Sequence, residues 1–355
     1  MGDTGTGRRR AAAVGCAFAF AFASPSLGGC GWIIGEGDHH LREEPPLPDA
    51  DAADLGDQDA TVGAPVLLAH DDGIPGVVTT DGTTAFWVRE ASASGPGAIL
   101  GVPQAGGDKF VVASGLQRPT GVRADAAYVY YTDDRVGADG GASGLFRVDK
   151  TGGAPELVDR DDAGFGWLSL YGGWLYSAGT LPDGTGFVRR SDKLGNSPQA
   201  PCHVAESVGA IPIMSVGATG IFFYDAGRQA ILFAKNACDA GATVFAESQS
   251  DVHVTTFGAG FLYWTTSTTI FRQPTNSPGA PDVVRDGQGG YGIDSGPGGV
   301  YFTNQTTGVI RNIDSTLRLR TLATGQSAPH WISVSNDRRV IWANRGSGDI
   351  MKLDP

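Results

Sequence analysis

Trp331-Ile332-Ser333-Val334 leads through the polar turn Asn336-Asp337 into Val340-Ile341-Trp342, and a further turn leads into Ile350-Met351-Lys352, just before the chain ends at Pro355. Short apolar runs rich in β-branched and aromatic residues, separated by Gly, Asn and Asp, read as strands joined by tight turns. Three strands that stop without a fourth leave an unpaired sheet edge, which proteins avoid. Pro65-Val66-Leu67-Leu68-Ala69, nearly 300 residues earlier, has the composition of the missing strand. The expectation is that it completes this last sheet.

Working outward, the same unit recurs six more times. The aromatic second strands are Ala85-Phe86-Trp87, Val129-Tyr130-Tyr131, Trp174-Leu175-Tyr176, Phe222-Phe223-Tyr224, Leu262-Tyr263-Trp264, Val300-Tyr301-Phe302 and Val340-Ile341-Trp342. Equivalent positions are 87, 131, 177, 224, 264, 302 and 342, at steps of 44, 46, 47, 40, 38 and 40 residues. Position 177 is a serine, so the third unit is the weakest copy. Four short strands about every 40 residues are the mark of a β-propeller blade. Leucine-rich repeats are shorter, helical repeats need a 3.6 period that is absent, and a sandwich does not repeat seven times. The fold class is therefore all-β: a seven-bladed β-propeller of four-stranded blades over 63-355, its ring closed by the N-terminal strand.

Leu262-Tyr263-Trp264-Thr265 and Tyr130-Tyr131-Thr132-Asp133 resemble the YWTD class of propellers, with Tyr301-Phe302-Thr303 a looser match. The ring also resembles the wider group of NHL repeats and virginiamycin B lyases. This resemblance rests on blade pattern, so it implies a fold and little about function.

The amino end reads as an address. Arg8, Arg9 and Arg10 precede an apolar run from Ala11 to Ala23, the charged and hydrophobic regions of a secretory signal. Leu27-Gly28-Gly29-Cys30 resembles a bacterial lipobox. That resemblance implies a signal peptide over 1-29 and a lipid on Cys30; the alternative is an ordinary secretory signal cleaved nearby. Residues 30-62 are rich in Asp, Glu, Pro and Ala and bury too little apolar surface to order, so they read as a tether. Gly31 after the cysteine permits outer-membrane delivery by the lipoprotein sorting rule. The expected location is export, with lipid anchoring to the cell envelope at the outer membrane or periplasmic side.

The formal net charge of -12, with no basic stripe, disfavours nucleic acid. Cys16 falls in the signal, which leaves Cys202 and Cys238 as a candidate disulfide in an oxidising space, against two unpaired thiols. Loops entering the inner strands carry the candidate ligand-binding residues at the channel mouth: His70, Asp71, Asp72, Arg118, Asp161, His253, Tyr291 and His330. Each of these also reads as a solvated turn residue. No catalytic motif appears. Resemblance to virginiamycin B lyases implies a histidine and carboxylates with magnesium, for which His330 or His253 with a nearby Asp is the nearest match. The leading expectation is a monomeric binding or scaffold module for a protein or small polar ligand, with no cofactor. The alternative is a channel-mouth lyase or hydrolase using Ca or Mg.

Overall fold

Every second strand is nearly continuous in apolar residues, because it is sandwiched between neighbouring sheets and buried on both faces. Val340–Asn344 is buried at all five positions, and Trp87, Trp264, Trp342 and Phe302 are fully buried. The computed structural model describes residues 63–93, 95–134, 143–161, 164–181, 183–195, 202–277 and 279–354. Cys30, the signal and the tether lie outside the described residues. Among the described residues there is no helix; the strands form seven antiparallel sheets of four.

The innermost strands of blades one to seven are Pro75–Thr80, Pro119–Ala124, Gly164–Tyr171, Met214–Gly217, Val254–Gly258, Ile293–Gly296 and Pro329–Val334. Each packs against the next, and the seventh packs against the first, so the ring is closed. Blade seven is completed as the composition of Pro65–Ala69 suggests. Val66–His70 pairs antiparallel with Asp349–Leu353, placing Val66 opposite Lys352 and Leu67 opposite Met351.

Adjacent blades are locked by different chemistry at the end opposite the mouth. Lys150 of blade two reaches Asp81 of blade one at 2.8 Å, and Lys193 of blade three reaches Asp125 of blade two at 3.3 Å. Blade three offers Gly172-Gly173 in that turn, and the exposed Lys235 of blade four stands where Lys150 and Lys193 stand. There Cys202, on the outer strand of blade three, is disulfide-bonded to Cys238 of blade four, with their Cα atoms 5.4 Å apart. Blade three is also where an aromatic anchor is missing. Ser177 is fully buried and its hydroxyl has no hydrogen-bond partner among the described residues.

Candidate functional site

In a four-stranded antiparallel blade, the loop entering the inner strand and the loop between the second and third strands lie at the same end. Seven such pairs form the mouth. Side chains at the ends of the second strands hold these loops together. Asp133 accepts from the backbone N–H groups of Gln117 and Arg118 at 3.0 and 2.8 Å. Asp225 accepts from Val208 and Gly209 of one loop and from Gly227 and Arg228 of the other. Trp264 donates its indole N–H to Gln249, and Trp342 donates to Gln326 and Asn344. The mouth is thus a rigid frame with its backbone groups bonded internally, as a positioned site requires.

Three candidate residues come together there. His253 stacks on Tyr291 with ring centroids 4.7 Å apart, and Tyr291 stacks on His330 at 3.6 Å. The loop carrying Tyr291 lies against its own blade: a Cβ at Gly290 would stand 1.7 Å from the Thr303 carbonyl oxygen, so only glycine fits. The Thr303 hydroxyl donates to the His330 carbonyl at 2.7 Å and accepts from the Gly292 N–H at 2.9 Å, joining blades six and seven. His253 bonds Asp251 through Nε2 at 3.0 Å and the Gly290 carbonyl through Nδ1 at 3.2 Å. Asp251 is held below the usual carboxylate range by hydrogen bonding from Ser267, against the opposing effect of burial, and by the neighbouring His253.

The row continues across the ring through residues that repeat counting alone does not single out. Trp331 packs edge-on to His330 at 5.4 Å and to Tyr291 at 5.8 Å, and its other neighbour is Trp167 at 5.2 Å. Trp167 belongs to blade three and Trp331 to blade seven, so the contact joins two blades that are not neighbours in the ring. Both sit where the ladder slips, between Phe165 and Leu168 and between Pro329 and Ile332. Such bulges re-aim a side chain. Arg123 of blade two lies over Trp167 at 5.0 Å. Burial lowers its pKa to about 10, with the charge of Asp294 in blade six opposing the shift, so it remains a cation at neutral pH. His330 is 4% exposed; burial, aided by the positive charge of Arg345 and by the neighbouring His253, lowers its pKa to about 3 and keeps the ring neutral. The sequence signal for this cluster was a bulky tryptophan preceding Leu168-Ser169 and Ile332-Ser333, at positions where blades two and six have Gly121 and Gly292.

The other candidates sit apart from this row. Asp71 is buried, its carboxylate taken up by the Trp87 indole and Arg89, both at 2.6 Å, and by the Gly73 N–H. It clips the loop that enters blade one. His70 bonds Asp349 across the seam at 2.9 Å, and Asp72 is exposed, 3.7 Å from Lys109. Arg118 is exposed and pairs with Asp134 at 3.2 Å. Asp161 ends the outer strand Glu156–Asp161 of blade two, and its side chain lies outside the described residues.

No protein-family model and no curated protein matches the chain. Solved structures do. A catalytically inactive His-to-Ala variant of virginiamycin B lyase from Staphylococcus aureus with quinupristin aligns with a TM-score of 0.60 at 14% identity, over 82% of this chain and 98% of that one. The WD40 β-propeller domain of Doa1 aligns equally well, at 0.60 and 14%, over 82% and 96%. A chain of the nidogen/laminin complex aligns at 0.50 and 15%, over 67% and 95%. Identities this low carry the architecture alone, and on that footing the chain is a seven-bladed β-propeller with four-stranded antiparallel blades and a ring closed by its first strand.

Proposed function

We propose that the protein is a lipid-anchored, extracytoplasmic binding module that presents its channel mouth to a ligand or partner and carries out no chemistry of its own. The observation that supports this most is the contact of Trp167 with Trp331. It joins blades three and seven at the mouth and presents aromatic surface there as the working face. The anchor is Cys30 of Leu27-Gly28-Gly29-Cys30, and residues 30-62 supply the reach. Metabolic labelling with palmitate tests the anchor: the full chain takes up label and fractionates with the envelope, whereas Cys30→Ser does neither. Label on the Cys30→Ser chain overturns it.

One observation favours a second reading, a lyase. The buried His330 lies in the innermost strand of a fold shared with virginiamycin B lyase, and the neighbour above is inactivated by loss of a histidine. Such an activity implies a divalent ion, and the residues around His330 do not fit one. The guanidinium of Arg345 acts on it with positive charge, and among the described residues no three His, Cys, Asp or Glu side chains group closely enough to hold a metal. Incubating the purified chain with quinupristin and magnesium decides between the two. The binding reading expects intact quinupristin by mass spectrometry; ring-opened product lost on His330→Ala establishes the lyase.

A further inference from the structure

Buried polar groups in folded proteins nearly always have partners, and each exception asks for an explanation. Two exceptions flank one side chain at the mouth. Trp167 is 7% exposed and its indole N–H has no acceptor; His330 is 4% exposed and its Nδ1 has no partner. Both rings pack on Trp331, which is itself only half-buried. The backbone beneath is irregular. The ladder slips between Pro329 and Ile332, and Ala328, immediately before, has φ of 50°, a left-handed conformation that costs a non-glycine residue. A half-exposed ring on a strained bulge therefore packs on two residues that each carry a buried polar atom without a partner among the described residues.

We propose that the mouth is a closed site for a neutral, hydroxyl-bearing ring such as a sugar, with Trp331 as its gate and Trp167 Nε1 and His330 Nδ1 as its polar anchors. This deepens the binding-module reading and rests on it. The ligand is neutral because the unmet demand is neutral. The indole and the uncharged imidazole carry no charge, whereas the surrounding ions are already matched: Arg345 with Glu90 at 2.7 Å, Asp251 hydrogen-bonded by His253 at 3.0 Å, and Arg123 facing Asp294. A hydroxyl can accept from an indole N–H or donate to an imidazole nitrogen, so a ring carrying several hydroxyls offers a partner of the right kind to each orphan. The apolar face of a sugar ring is suited to the aromatic surface of Trp331 and Tyr291. Opening of Trp331 exchanges two unsatisfied groups for two bonded ones, which gives the open state a differential affinity for ligand.

Isothermal calorimetry on the full mature chain tests this with glucose, galactose, mannose and N-acetylglucosamine, and with glucosamine and glucuronate as charged counterparts. At least one neutral sugar is expected to bind saturably, more tightly than its cationic or anionic counterpart. Trp167→Phe keeps an aromatic ring and removes the N–H; it should weaken that sugar about tenfold. His330→Phe should do the same, and if one variant fails to fold the other carries the comparison. Absence of binding by all four neutral sugars overturns the proposal, as does a preference for the charged sugars or undiminished affinity in both variants. Those failures leave the palmitate-labelling result untouched, so they sink the ligand assignment and not the anchored binding module.

Discussion

The boundary between blades two and three and the boundary between blades three and four answer the same mechanical need with different bonds. At the first, a carboxylate in the turn after the inner strand meets a lysine from the next blade, Asp125 with Lys193, as Asp81 does with Lys150 one blade earlier. At the second, the turn is Gly172-Gly173, which has no side chain to offer, and a disulfide between Cys202 and Cys238 holds the blades. The covalent bond falls where the second strand has Ser177 in place of an aromatic. The comparison teaches that a propeller can change its inter-blade bond from one boundary to the next. At the seam between blade seven and the start of the chain the bond is an entire strand, Val66–His70 on Asp349–Leu353.

These boundaries should fail with different severity. Deleting residues 63–70 removes a whole strand and exposes the edge Asp349–Leu353; the expected outcome is loss of the cooperative unfolding transition in circular dichroism, with aggregation. Replacing both Cys202 and Cys238 by Ser frees a loop spanning 36 residues of separation and should cost about 4 kcal/mol, read as a lower urea midpoint. The same change at a boundary that did not depend on the bond would leave the midpoint in place.

Acid should act on the ionic boundaries and spare the covalent one. Burial raises the pKa of Asp81, but hydrogen bonds from Lys150, Thr83 and Thr84 outweigh it and leave the carboxyl below its ordinary value. Asp125 is likewise lowered, burial being outweighed by Tyr128, Ala127, Tyr130 and Lys193. A folded pKa below the unfolded one means stability that is present above the ordinary carboxylate value of about 4 and is lost as pH falls below it. Asp81→Asn with Asp125→Asn should therefore lower stability at neutral pH and flatten its decline in acid. An unchanged acid limb in that double variant breaks the comparison. The smallest expected effect is at Ser177. Because its buried hydroxyl is unpartnered, Ser177→Ala should be neutral or raise stability by up to about 1 kcal/mol, whereas Ser215→Ala, which removes the hydroxyl bonded to Thr255, should cost about 1 kcal/mol.

The ring itself was legible in the sequence because each blade repeats the same local demand: an aromatic strand buried on both faces after a glycine, aspartate or asparagine turn. The seam was legible because a three-stranded sheet at one end and a spare strand at the other are both visible in composition. The mouth was legible only in part. His253 and Tyr291 lie on the loops entering blades five and six and His330 at the start of the inner strand of blade seven, and their convergence follows from the ring. Asp71 has the same kind of position in the sequence, yet it turns inward to Trp87 and Arg89, because an acidic residue entering a strand serves equally well as a clip or as a ligand-facing group. Trp167 and Trp331 are 164 residues apart and touch because the closed ring brings blades three and seven within reach, a distance set by the whole ring and by two bulges that no local pattern announces.

The central claim, that the first strand zips onto the last sheet in a fixed register, is open to a direct measurement. Val66 and Lys352 are opposed across the seam. Val66→Cys with Lys352→Cys, oxidised in the folded protein and counted by thiol titration and mass spectrometry, should form a cross-link quantitatively and raise the melting temperature. If both introduced thiols stay free in a folded chain, the strand is not paired there and the closed ring is contradicted.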